Sequence, residues 1–146
     1  MKAAAADLGA KGHAIVADLA PPDAPAKLIE QSHALHGRLD IVCSNAGIGR
    51  NKRLVKEAFD DDAVSRLFAV NLFAGLRLAQ AYVPTLEGTQ AQGRMMFTGS
   101  ENSLSVPAAV KGAGLGLYAA TKHALLIAAE WLRDELATAP LDLHVL

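Results

Sequence analysis

The chain has 146 residues, 51% hydrophobic and 20% charged, a globular composition long enough for one domain that buries roughly 68–70% of its unfolded surface. Lys and Arg number 14 against 15 Asp and Glu, a net charge of -1 without a single-sign field, which argues against nucleic acid or an anionic membrane as partner. One cysteine excludes an internal disulfide, no apolar run approaches the ~18 residues of a membrane span, and the start lacks a signal-peptide core, so a soluble cytoplasmic protein is expected.

Residues 1 to about 8 read as the end of a helix stopped by Gly9 and Gly12. His13 to Asp18 is a short β-type run, punctuated by Pro21, Pro22 and Asp23. A helix is predicted over 24–36, with Gly37 at its C′ position. Leu39 to Ser44 is a second strand, apolar at its centre as a buried parallel strand should be, and Cys43 is expected to be buried in it. The loop Asn45-Ala46-Gly47-Ile48-Gly49 follows. Asp60 to Asp62 make a good start for the longest helix, with apolar Val64, Leu67, Phe68, Leu72, Leu76 and Ala79, bent or ended by Pro84. Gly93 to Thr98 is a third strand, and a loop of serines and glycines leads to a helix bearing Tyr118, with Leu125, Ala129, Leu132 and Leu136 on one face. Leu141 to Leu146 is a fourth strand.

Strand alternating with helix predicts parallel strands joined by right-handed crossovers, hence an α/β doubly wound sheet. Ligands bind beyond the carboxyl ends of such strands. Asp18, Asn45 to Gly47 and Ser100 fall there. The segment Tyr118-Ala-Ala-Thr-Lys122 puts a phenol and an ammonium one helical turn apart on one face. A cation beside a phenol favours its phenolate form, so the pair reads as an acid/base device. His33 and His36 lack a third ligand and read as surface histidines near a helix C-terminus, so no metal site is expected. Trp131 reads as a packing or interface residue.

In this order the motifs resemble the short-chain dehydrogenase/reductase family, whose Rossmann-like domain uses NAD or NADP to interconvert alcohols and carbonyl compounds. Asp18 in Val-Ala-Asp-Leu resembles the acid that contacts the cofactor's adenine, and Asn45-Ala46-Gly47 matches the family's Asn-Ala-Gly motif. Asn71 in Val-Asn-Leu-Phe-Ala-Gly75 matches the asparagine of the long fourth helix, and Ser100 in Phe-Thr-Gly-Ser the serine ending the fifth strand. The resemblance implies that Tyr118 exchanges a proton with the substrate oxygen, that Lys122 supports it and grips the nicotinamide ribose, and that Ser100 donates a hydrogen bond to the same oxygen. It implies that Asn71 holds a water linking Lys122 to solvent; the blander reading is that Asn71 caps a kink. Ser105 fits the family's usual spacing to the tyrosine, whereas Ser100 fits the strand-end motif and is preferred. His123 is expected to point away from the active face.

The family's glycine-rich phosphate loop is absent; Gly112-Ala-Gly-Leu-Gly116 is the nearest imitation, with the wrong spacing and after the wrong strand. The chain therefore reads as a partial domain over 1–146, truncated at both ends and expected to be inactive as given, its first strand left without a neighbour beside Leu39 to Ser44. It lacks the residue that selects NAD or NADP. An apolar alcohol or ketone is the expected substrate, because the loop over 104–117 is mostly Ala, Val, Leu and Gly. A homodimer or homotetramer is implied for the full-length form. Two other readings stay open: a non-catalytic relative or assembly module using the long helix, and the extended branch of sugar-nucleotide epimerases and dehydratases.

Overall fold

The computed structural model describes Gly9, residues 12–89 and residues 91–146. The helix end expected over residues 1 to 8 lies outside them. Four α-helices and three strands order the described residues: α1 (Ala24–His36), β1 (Ile41–Ser44), α2 (Asp61–Phe68), α3 (Ala74–Tyr82), β2 (Gly93–Phe97), α4 (Gly116–Glu135) and β3 (Leu141–Val145). The sheet is parallel in the order β1-β2-β3, with Val42 opposite Met95 and Met95 opposite Leu143. The α/β class with a parallel sheet is the one the alternation predicted.

Local chemistry sets the element ends. Gly37 takes φ 73° and its N–H donates to the His33 carbonyl, closing α1 in the left-handed conformation that glycine adopts without a Cβ penalty. Asp60 begins α2 by accepting the Ala63 N–H on its side chain at 3.0 Å. Between α2 and α3 the ladder widens into a π-helical segment, Ala69–Phe73, in which the Ala74 N–H reaches back to the Ala69 carbonyl. The helical path thus turns irregular at Asn71 rather than only at Pro84 as expected. A short 3₁₀ turn, Val83–Thr85, contains Pro84 and ends the path.

The whole run Asp61–Thr85 is long and apolar enough to cross a membrane, with mean hydropathy 1.2, which corrects the expectation that no run is. Half of that window is buried inside the fold. Tyr82, Leu78, Leu72 and Ala79 pack with Met95, Phe97, Leu125, Ala129 and Leu143 into the core. The run is a core helix. Gly75 lets it lie close against the sheet, since a Cβ there would sit 3.0 Å from the Phe97 ring and 3.1 Å from the Ser44 hydroxyl.

Two further corrections follow from the topology. The expected strand from His13 to Asp18 does not form: these residues take no strand conformation, and β1 is the edge of the described sheet. A strand exists only by pairing, and without a neighbour the β propensity of His13 to Asp18 has nothing to bond. Cys43, expected buried, is exposed. It shares a face of β1 with Ile41, which is 52% exposed, while Ser44 faces α3.

Candidate active site

The loops at the carboxyl ends of β1 and β2 meet the first turns of α4 and the π-helical segment, and most of the sequence-marked residues gather there. Thr98, just past β2, joins two of them. Its hydroxyl donates to the Asn45 side-chain oxygen at 2.9 Å, and its carbonyl accepts from the Lys122 Nζ at 2.6 Å. Lys122 is only 4% exposed, and its ammonium lies 6.0 Å from the centroid of the Tyr118 ring. Burial holds that ammonium below the ordinary lysine value.

Asn71 is 3% exposed, and all of its carboxamide bonds are internal. Its Oδ1 accepts from the Ile48 N–H at 2.8 Å, while its Nδ2 donates to the Ile48 carbonyl at 2.9 Å and to the Thr121 hydroxyl at 3.1 Å. The Thr121 hydroxyl in turn donates to the Tyr118 carbonyl at 2.7 Å. A chain of bonds therefore runs from the Asn45-Ala46-Gly47 loop through Asn71 and Thr121 to the turn that presents Tyr118. Ala46 and Gly47 are exposed. A Cβ on Gly47 would fill the space 3.5 Å from the Asn71 Oδ1 and 3.9 Å from the Lys122 Nζ. The missing Cβ leaves an open approach directly over the ammonium.

Ser100 and Asp18 make their side-chain hydrogen bonds outside this cluster. The Ser100 hydroxyl accepts from the Asn102 N–H at 3.2 Å, capping a short 3₁₀ turn over Glu101–Ser103, and Ser100 lines a shallow recess with Leu126 and Val145. Asp18 is exposed. Its carboxylate accepts from the Ala20 N–H and pairs with the Arg66 guanidinium on α2 at 3.1 Å, which together hold it below the usual carboxylate range. His123 lies outside the cluster as expected, its Nδ1 2.8 Å from the Ser103 carbonyl.

Thr121, Thr98 and Ile48 bond directly to the sequence-marked residues, and the motif reading missed them. Thr121 had a readable signal: a threonine inside a helix bonds back to the preceding turn, and it stands on the Tyr118 face beside Lys122. The apolar loop over 104–117, expected to face the substrate, contributes Val106, Val110 and Leu115 to a cleft of about 330 Å³ beside the first turn of α4, and the motif reading missed only its other side, Lys52, Arg53 and Leu54. Ser105, the alternative serine, lines this cleft, while Ser100 does not.

Gly47, Asn71, Lys122 and Tyr118 thus lie side by side at the carboxyl end of the sheet. The sequence profile of the family described as short chain dehydrogenase matches residues 1–145. The chain belongs to the short-chain dehydrogenase/reductase family. It is 36% identical over 138 residues to 1-deoxy-11-beta-hydroxypentalenate dehydrogenase of Streptomyces avermitilis, covering 94% of this chain and 49% of that protein. Among solved structures it resembles a short chain dehydrogenase from Burkholderia cenocepacia in complex with NADP, with TM-score 0.84 and 31% identity, covering 99% of this chain and 56% of that one. A metagenomic short-chain oxidoreductase in complex with NADP matches with TM-score 0.83 at 25% identity, covering 99% of this chain and 63% of that one. The chain spans about half the length of these relatives.

Proposed function

We propose that these residues form the catalytic corner of an oxidoreductase that interconverts an alcohol and a ketone or aldehyde with NAD or NADP. The observation that carries this reading is the buried Lys122 ammonium, bonded to the Thr98 carbonyl, set beside the Tyr118 ring and open toward Gly47. An ammonium has three donors and Thr98 uses one; the remaining two suit the hydroxyls of a ribose approaching over Gly47, and so the residues fit a nicotinamide dinucleotide. The bound cofactor supplies or accepts the hydride.

The chain's own groups handle the proton. The Tyr118 hydroxyl gives its proton to the substrate oxygen during reduction and takes one back during oxidation. Lys122 stabilises the negative charge that develops on the phenol oxygen, an interaction strengthened by its burial. Asn71 holds the Ile48 peptide and Thr121 fixed, and thereby the Gly47 loop and the Tyr118 turn relative to each other. Ser100, whose hydroxyl oxygen accepts from the Asn102 N–H and keeps its own proton to give, donates to the substrate oxygen. Asp18 contacts the adenine end, and residues 1–146 act as part of one cofactor-binding domain. NADP is supported as cofactor by the two NADP complexes among the structural relatives.

The reading extends to an apolar substrate, for which the cleft beside α4 is the support, and to a cytoplasmic homo-oligomer. Phe73, Ile127 and Trp131 are 43%, 52% and 63% exposed and offer apolar surface for a second copy. Fluorescence titration with NADPH and NADH, followed by reduction assays over a panel of apolar ketones, tests the function in a full-length chain that joins residues 1–146 to a glycine-rich phosphate loop. Saturable cofactor binding with ketone-dependent oxidation of the nucleotide is expected; saturable binding with no turnover of any carbonyl compound would leave the non-catalytic reading instead.

A further inference from the structure

The cleft beside α4 is built by two loops locked together. The Lys52 N–H donates to the Gly114 carbonyl at 2.9 Å, and a Cβ on Gly114 would come within 3.0 Å of the Lys52 backbone. Gly114 has φ 72°, and the neighbouring Gly116 packs against the Leu54 side chain. The glycine-rich segment that imitates a phosphate loop therefore serves a different end: it lets residues 52–54 lie tightly against the start of the Tyr118 helix. The cleft floor and walls are apolar, from Leu54, Val106, Val110 and Leu115. Its volume of about 330 Å³ falls in the ordinary range of small-molecule sites, about 300–1,000 Å³.

Charge at this cleft is one-sided. Lys52 and Arg53 line it, and no Asp or Glu is among its lining residues. The Glu57 carboxylate of the same loop is already engaged: it lies 3.6 Å from the Lys52 Nζ and accepts the Arg53 backbone N–H at 3.2 Å. Arg50, the third cation of the loop, pairs with Asp60 at 3.1 Å. Among the described residues the Arg53 guanidinium has no carboxylate partner within salt-bridge distance. Arg53 is exposed and lines the cleft, and a planar guanidinium matches a carboxylate with two parallel hydrogen bonds.

We propose that the substrate is an apolar alcohol or ketone carrying a carboxylate, with its hydrocarbon body in the cleft and its anion on Arg53. The inference rests on the oxidoreductase reading for its reaction, but the charge preference belongs to the cleft alone. A neutral substrate of the same shape would fill the walls and leave Arg53 without a counter-ion.

A matched pair tests this in the same full-length chain: one alicyclic keto acid and its methyl ester, compared on the unsubstituted protein and on Arg53→Gln and Arg53→Lys. The acid is expected to show kcat/KM about tenfold or more above the ester, as for a charge-assisted hydrogen-bonded pair. Arg53→Gln should bring that ratio close to one, and Arg53→Lys should restore part of it. Raising the ionic strength should shrink the ratio, since Arg53 is exposed. Calorimetric titration of the same two compounds reads the preference without turnover. Equal affinities for acid and ester, or a ratio untouched in Arg53→Gln, overturn this inference. Selective binding of the acid with no nucleotide-linked turnover sustains it and overturns the oxidoreductase reading.

Discussion

The Asn71 carboxamide and the Ile48 peptide are bonded in both directions, the peptide N–H to Oδ1 at 2.8 Å and Nδ2 to the peptide carbonyl at 2.9 Å. This closes a ring between the widened turn of the long helix and the loop after β1. Substitution of Asn71 by Leu removes three hydrogen bonds and leaves the Ile48 peptide unpaired beside a buried side chain. A loss of about 2–4 kcal/mol in unfolding free energy is expected, read by denaturant titration. A loss below about 0.5 kcal/mol would mean that water replaces the carboxamide without cost.

Lys122 makes stability depend on pH. Burial holds its folded-state value below the ordinary lysine value, which the unfolded chain keeps. Between the two values the unfolded chain binds more protons than the folded one, so stability rises as pH increases through that window. Below the folded value both states are protonated and the cost of burying the ammonium is constant. Lys122→Met should flatten this alkaline rise, measured as unfolding midpoints in urea at a series of pH values. An identical slope in both proteins would contradict the burial of the charge.

Gly114 combines a positive φ with close contact to the Lys52 backbone. Gly114→Ala is expected to cost about 1–3 kcal/mol and to loosen residues 52–54, raising KM more than it lowers kcat. Thermal unfolding and steady-state kinetics check both parts. Gly112 also has positive φ but has nothing within 4 Å of a Cβ, so Gly112→Ala should leave KM closer to that of the parent.

The two serines separate by the same kind of measurement. Ser100→Ala removes the proposed donor to the substrate oxygen and should lower kcat by about 10²–10³-fold, as loss of an oxyanion donor does. Ser105 lines the cleft wall, and Ser105→Ala should act mainly on KM. The reverse pattern in kinetics would assign the role to Ser105.

Much of this fold was legible because its signals are local. The helix over 24–36 was read with its bounds intact, since proline at the start and Gly37 at the end act within one turn. Asp60 announced its helix for the same reason. The strand expected at His13 to Asp18 and the burial of Cys43 failed together: both depended on neighbours beside β1 that the described residues do not provide. Asn71 was marked by its motif, yet its partner Ile48 and the π-helical widening were hidden, because one extra residue in a helical turn barely disturbs an apolar pattern. The Tyr118–Lys122 spacing was visible in the sequence, whereas the cleft lined by Lys52 and Arg53 arises from two loops about sixty residues apart.

The central claim, that Tyr118 exchanges the proton with the substrate oxygen, is tested most directly by Tyr118→Phe in the reconstructed full-length chain. Nucleotide fluorescence and turnover should be measured on the same preparations. The account predicts that kcat falls by about 10²–10⁴-fold, the usual contribution of a positioned acid or base, while NADPH affinity changes by less than about threefold, within roughly 0.7 kcal/mol. Turnover equal to that of the unsubstituted protein would contradict it.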